Sequence, residues 1–187
     1  MEKLDPELVV IVLDGFDTII HKHPDIAYDY YMDKSPDKIL ISKECTDNNI
    51  FTHYFNKKVF LSPIPGNCGM MMGKVKYLHK LYECVIDYYK KHNDTDDQRI
   101  INIFNSHFTI DMDNYVFHNL NYKERCENYS KFGAIFLQTP GLLNYNRITR
   151  MIKEYTPHFI EEICLLIIII ILCVTLYSYF KSFNHIK

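Results

Sequence analysis

The longest apolar run in the chain lies near its C-terminus. Ile163 to Phe180 reads ICLLIIIIILCVTLYSYF, with no charge and with twelve positions that are Ile, Leu, Val or Phe. At about 1.5 Å rise per residue a helix of that length spans roughly 27 Å, close to the hydrocarbon core of a thin, ER-like bilayer. A core helix this apolar on every side would need a much larger protein around it, so the pattern favours a membrane span. Tyr177 and Tyr179 sit near one end, where interfacial aromatics are expected.

Upstream, the pattern alternates between short apolar runs and amphipathic stretches. Leu8–Leu13 is a continuous run rich in Val and Ile, which predicts a strand buried on both faces, as in a parallel sheet. Thr18-Ile19-Ile20 continues extended after Asp14-Gly15-Phe16-Asp17. Lys38–Ser42 (KILIS) predicts a second strand. Asp47–Pro65 is polar and aromatic with Pro63 and Pro65, and reads as loop. Gly66–Gly73 is punctuated by glycine and reads as a turn or a close backbone approach. Lys74–His92 places Val75, Leu78, Leu81, Tyr82, Val85, Ile86 and Tyr89 on one helical face. Asn93-Asp94-Thr95 ends that helix, and Asp96-Asp97-Gln98 opens another over Arg99–Phe104. Phe108–Ile110, Tyr115–Phe117 and Gly133–Leu137 predict strands, and Leu143–Tyr155 a helix that stops before Pro157. Strands alternating with helices imply an α/β domain.

Composition narrows the class. The net charge of −2 excludes bulk electrostatic binding of nucleic acid. The six cysteines form no C-x-x-C pair; Cys45, Cys68, Cys84 and Cys126 fit reduced thiols of a cytosolic body, or pairing if the body were lumenal. The apolar run at the start is short and flanked by acids, unlike a signal peptide. These features predict a single-pass, tail-anchored protein with a cytosolic body. Arg147, Arg150 and Lys153 before the span, against Lys181 and Lys187 after it, point the same way.

Several sites carry candidate chemistry. Asp14 ends an apolar strand and Asp17 follows across a Gly, an arrangement that can hold a divalent cation with phosphates completing its shell. Acids also follow buried strands simply because the chain meets water. A haloacid-dehalogenase-type phosphatase needs its second Asp two residues on, where this chain has Phe16. No G-K-[ST] closes the Gly66–Gly73 segment, so it is not a P-loop. Asp96-Asp97-Gln98 is the ordinary signature of a capped helix, and Asp111 and Asp113 of a turn.

In order, the chain runs strand–D-x-x-D (Asp14, Asp17), Ile41-Ser42-Lys43-Glu44, Asn67-Cys68-Gly69-Met70-Met71-Met72-Gly73, Asp96-Asp97-Gln98, Thr109-Ile110-Asp111, then Phe117-His118-Asn119-Leu120. This order resembles the glycosyltransferase domain of procollagen lysyl hydroxylases and the related collagen glycosyltransferases, over roughly residues 8–150. There the slots read strand–D-x-x-D, S-A-E, L-N-S-G-x-x-x-G, D-D-Q and T-L-D-H…F-Q-N-L. The resemblance implies an α/β, GT-A-like nucleotide-diphospho-sugar transferase domain over residues 1–155, a juxtamembrane linker at 156–162, the span at 163–180 and a short tail at 181–187. It implies a UDP-sugar donor and Mn²⁺. Asp14 and Asp17 would bind the metal; Glu44, Asn67, Gly69 and Gln98 would line the substrate cleft; Asp96, Asp97 and Asp111 would act at the reacting centre.

Two departures bear on activity. Family members carry first strands and a uridine-holding loop ahead of the D-x-x-D strand, whereas this chain starts shortly before it, so the domain reads as truncated. The family also supplies a metal-binding His late in the domain. The matching stretch here is Phe136-Leu137-Gln138-Thr139-Pro140-Gly141, with Gln138 in the His slot and an amide a poorer ligand for such a metal. The position after T-L-D is Met112 rather than His. The expectation is a membrane-anchored, glycosyltransferase-like protein whose activity is in question. The alternatives are a non-catalytic membrane interaction or structural protein reusing the fold, and a fragment completed by another chain. The partners implied are the lipid bilayer and, for an active enzyme, a UDP-sugar. The membrane is expected to be ER-type or, since small AT-biased anchored copies of host enzymes are a habit of large DNA viruses, that of a virion. The chain has no iron-binding hydroxylase domain, so no hydroxylase activity is expected.

Overall fold

The computed structural model describes residues 4–15, 17–45, 49–121, 124, 128–139 and 145–184, with the side chains of 145–147 and 178–184 left aside. Phe16, Asp47, Cys126, Pro140, Gly141, Leu143 and Lys187, named above, lie outside them. The chain divides into two compact units, Met1–Leu142 and Leu143–Lys187.

The first unit is built on a four-stranded sheet: β1 (Val9–Leu13), β3 (Ile39–Lys43), β4 (Gly66–Lys74) and β5 (Phe108–Asp111), in the order β1-β4-β3-β5. β4 runs antiparallel to both β1 and β3, and β3 runs parallel to β5. So β1, β3 and β5 all point one way, and their carboxyl ends (Asp14, Glu44, Asp111) share an edge with the start of β4. A second, three-stranded sheet runs β2 (Thr18–Ile20), β7 (Phe136–Gln138), β6 (Phe117–Asn119).

Strand periodicity sorts the core into two layers. Val9, Ile11 and Leu13 of β1, Leu40 of β3, and Met70 and Met72 of β4 face one cluster. They meet Ala27 and Tyr31 of α1 (Asp25–Lys34) and Val116, Phe117, Ile135 and Phe136 of the second sheet region. Val10 and Val12, Ile39 and Ile41, and Met71 face the other cluster. There they meet Leu78 and Leu81 of α3 (Val75–His92) and Ile101 of α4 (Asp97–Ile103). The unit is therefore a mixed α/β sheet covered on both faces.

Three expectations change. The Leu8–Leu13 run does form a strand with apolar contacts on both faces, but β1 lies at the sheet edge, pairs antiparallel, and is half-buried throughout. The Gly66–Gly73 segment is a central strand. Its glycines are needed for closeness: a Cβ on Gly66 would sit 3.0 Å from Ile41 Cγ2, and one on Gly73 would sit 3.2 Å from Ile39 Cγ1. The stretch read as loop contains α2 (Ile50–Phe60), started by Asn49, whose side chain accepts from the Thr52 N–H at 2.9 Å. No disulfide joins Cys45, Cys68, Cys84, Cys164 or Cys173.

The second unit is helical. α5 (Tyr145–Tyr155) leads through a 3-10 turn at Thr156–Phe159 into α6 (Ile160–Asn184), which contains the apolar run. One helical stretch among the described residues, Ile148–Tyr177, is long and apolar enough to cross a membrane by length and composition, and none of its apolar window is buried within the protein.

Candidate functional site

The carboxyl ends of β1 and β3 gather most of the sequence-singled residues, because β4 is irregular there. Ile41 pairs with Met71 but the next β3 residue, Ser42, pairs with Asn67. Cys68, Gly69 and Met70 therefore leave β3 and continue on the β1 side, where the Asp14 N–H donates to the Gly69 carbonyl at 2.7 Å. This opens β3 and β1 around a polar cluster.

Glu44 is the centre of that cluster. Its Oε2 accepts from Asn67 Nδ2 at 2.7 Å and from Gln98 Nε2 at 2.5 Å, while its Oε1 accepts from the Cys45 N–H at 3.1 Å. Asn67 Oδ1 in turn accepts from the Gly69 N–H at 2.8 Å. All three side chains are half-buried. Three residues separated by long stretches of sequence thus share one hydrogen-bonded network.

Gly69 links this network to a second one. A Cβ there would lie 2.7 Å from Gln138 Oε1 and 2.9 Å from Asn67 Oδ1, so only Gly lets both amides approach. Gln138 ends β7, opposite Thr18, and its Nε2 donates to Asp17 Oδ1 at 3.1 Å. The Oε1 of Gln138 is buried and has no hydrogen-bond partner among the described residues. Asp14 is exposed at the end of β1.

Among the described residues, protein side chains alone do not complete the shell of a divalent cation. Among the described residues no group of three or more His, Cys, Asp or Glu side chains is placed to share a metal. The amide in the third position turns a donor, not a lone pair, towards Asp17, and that donor competes for the carboxylate a cation would need.

Of the acids expected at a reacting centre, Asp96 and Asp111 hold local structure and Asp97 lies beside Cys68. Asp96 is the N-cap of α4 and accepts from the Arg99 N–H at 2.9 Å; burial pushes its carboxyl above the ordinary range. Asp97 is exposed and accepts from the Gln98 N–H at 2.8 Å. Cys68, close by, has its thiol pushed up by burial first and by Asp97 next, so it stays protonated. Asp111 is buried, and its carboxylate accepts from the N–H groups of Tyr115, Val116 and Phe117 at 3.1, 2.7 and 2.9 Å. It shapes the turn between β5 and β6.

Two further residues position the cluster: Asn102, which the sequence reading missed, and Asn119, which it placed only within the Phe117–Leu120 motif. Asn102, buried in α4, exchanges hydrogen bonds with Gly66 (2.8 and 2.9 Å) and donates to the Gln98 carbonyl at 2.7 Å, clamping α4 to the start of β4. Asn119 donates to Ser42 Oγ at 3.2 Å and to the Lys43 carbonyl at 2.6 Å, tying the two sheets together. The one available signal for Asn102 was a polar residue within the apolar run IINIF.

No protein-family model and no curated protein matches this chain. Among solved structures it is similar to the galactosyltransferase LgtC in complex with donor and acceptor sugar analogs, at 13% identity and a TM-score of 0.47, covering 71% of this chain and 52% of that one. The chain thus spans about half the length of that protein. The likeness is a distant one, to a glycosyltransferase fold.

Proposed function

We propose that this protein is a membrane-held, glycosyltransferase-like domain that binds a sugar through a polar cleft and does not carry out metal-dependent transfer. The observation that carries the reading is the Glu44 carboxylate accepting from both Asn67 and Gln98. Carboxylate and amide side chains in one half-buried cluster are the donor and acceptor set that sugar hydroxyls exchange with. The order of motifs supports the sugar as ligand class. Against transfer stand the Asp17–Gln138 contact and the engagement of Asp96 and Asp111 in capping and turn formation. On this reading no Mn²⁺ is resident, the partners are a sugar or UDP-sugar and the bilayer, and nucleic acid is not one. The apolar helix within α6 holds the chain in the membrane, with the first unit facing the cytosol.

The test is calorimetry of the full chain in detergent with a panel of UDP-hexoses and free hexoses, in Mn²⁺ and in EDTA, alongside an assay for released UDP. Binding that is indifferent to metal and lost in Glu44→Ala, without UDP release, is the expected result. Mn²⁺-dependent binding with UDP release, abolished in Asp14→Ala, would establish a working enzyme instead.

A further inference from the structure

α5 is amphipathic and leads directly into the apolar helix. Ile148, Met151, Ile152 and Tyr155 recur at the i, i+3, i+4, i+7 spacing of one helical stripe. The first three are exposed and Tyr155 is half-buried. Arg150, Lys153 and Glu154 fall on the opposite side, where Arg150 Nε lies 3.6 Å from Glu154 Oε1 and both side chains remain exposed.

The position of the stripe in the chain decides what covers it. Tyr155 precedes Ile163, the first residue of the apolar run, by eight positions, about 12 Å along a helix. On the reading of α6 as a membrane span, on which this inference rests, the C-terminal end of α5 lies within or just above the headgroup layer. Its charges keep α5 out of the hydrocarbon core. Pro157, in the 3-10 turn Thr156–Phe159 between the two helices, has no N–H to offer the Lys153 carbonyl. The helical ladder is interrupted there, at the point where a chain can turn from crossing a bilayer to lying along it.

We propose that α5 lies along the bilayer surface. Ile148, Met151, Ile152 and Tyr155 sink among the headgroups and upper acyl chains, and Arg150, Lys153 and Glu154 stay in water. The occupant of the stripe is therefore lipid. A free helix of 11 residues with this narrow stripe would hold a membrane weakly. Here α6 fixes it beside the surface, and a tethered face needs little affinity of its own. Attraction to anionic lipid is not needed. Between Tyr145 and Glu162 the charges balance, Arg147, Arg150 and Lys153 against Glu154, Glu161 and Glu162, so a zwitterionic bilayer suffices.

The chain contains no Trp, so a single introduced Trp reports its own surroundings. The experiment places the full chain in phosphatidylcholine nanodiscs and compares Ile152→Trp, Lys153→Trp and Ile167→Trp, each at an exposed position. Lipids brominated near the headgroup or deep in the acyl chain serve as quenchers. Ile167→Trp is expected to be quenched best by the deep bromines, which checks the span itself. Ile152→Trp is expected to emit at shorter wavelength than Lys153→Trp and to be quenched severalfold more strongly by the shallow bromines. Both variants carry the same preference of Trp for the interface, so the difference between them reports the face. With Ile167→Trp quenched as expected, a water-like Ile152→Trp or equal quenching at 152 and 153 would overturn the proposal and leave the span standing. A short-wavelength Ile152→Trp that no bromine quenches would also overturn it, because protein rather than lipid would then cover the stripe. Ile167→Trp untouched by any brominated lipid would overturn the span and the proposal together.

Discussion

Gln138 and Asp17, 121 residues apart, meet at 3.1 Å through an amide donor and a carboxylate acceptor. The contact exists because β7 and β2 pair in register, with Thr18 opposite Gln138. It converts an acid suited to a cation into one already occupied by a hydrogen bond. Exchanging the amide for an imidazole replaces that donor with a nitrogen ligand beside Asp17. The unaltered chain is expected to show no stoichiometric Mn²⁺ binding by electron paramagnetic resonance, and Gln138→His to gain it. Equal binding in both would contradict the account of the site.

Asp111 stabilises the fold. Its buried carboxylate satisfies three backbone donors, and hydrogen bonds to charged groups contribute roughly 1.5–3 kcal/mol each while orphaned donors are costly. Asp111→Ala is expected to destabilise the first unit by about 3 kcal/mol or more, and Asp111→Asn by less, read from denaturant unfolding. If Asp111→Ala left stability unchanged, the structural role would be wrong.

Asp96 couples stability to pH. Burial, the first cause, raises its folded pKa above the ordinary 3.8. The folded state therefore binds the proton more tightly than the unfolded state. That contribution is fully present below the unfolded pKa and is lost as pH rises through the raised folded value. Asp96→Asn keeps a good helix cap and removes the titration. Its stability is expected to change less than the parent's as pH rises from below the ordinary value through the raised folded value, while Asp96→Ala is expected to lie about 1 kcal/mol below Asp96→Asn at every pH. Parallel pH profiles for the parent and Asp96→Asn would refute the assignment.

Much of this architecture was readable because single elements carried strong periodicity. The α3 face of Val75, Leu78 and Leu81, the buried β3 run and the apolar stretch of α6 each announce themselves. The rest was hidden for physical reasons. β4 is made of Gly, Met, Asn and Cys, which lack strand propensity, and its glycines serve crowding against Ile39 and Ile41 rather than a turn. α2 and α1 are rich in aromatics such as Phe51, Tyr54, Tyr28 and Tyr30, which blur the helical pattern. The site was legible as a set of slots, Glu44 with Asn67 and Gln98, and Asp17 with Gln138. That the Asp17–Gln138 pair forms a direct hydrogen bond depends on sheet pairing that no local signal reports.

The membrane reading makes its own prediction. A glycosylation acceptor placed after Lys187 is expected to be modified when the chain is made with ER membranes, since on the proposed topology only the tail crosses. A modified acceptor placed just ahead of Asn49, with an unmodified tail, would reverse the topology and put the first unit in the lumen.

The most direct measurement is a titration of UDP-hexoses into the full chain in detergent, by calorimetry, with Mn²⁺ and then with EDTA. The account predicts the same binding heat in both, its loss in Glu44→Ala, and no release of UDP. Binding that appears only with Mn²⁺ and disappears in Asp14→Ala, or no binding to any sugar in the panel, would contradict it.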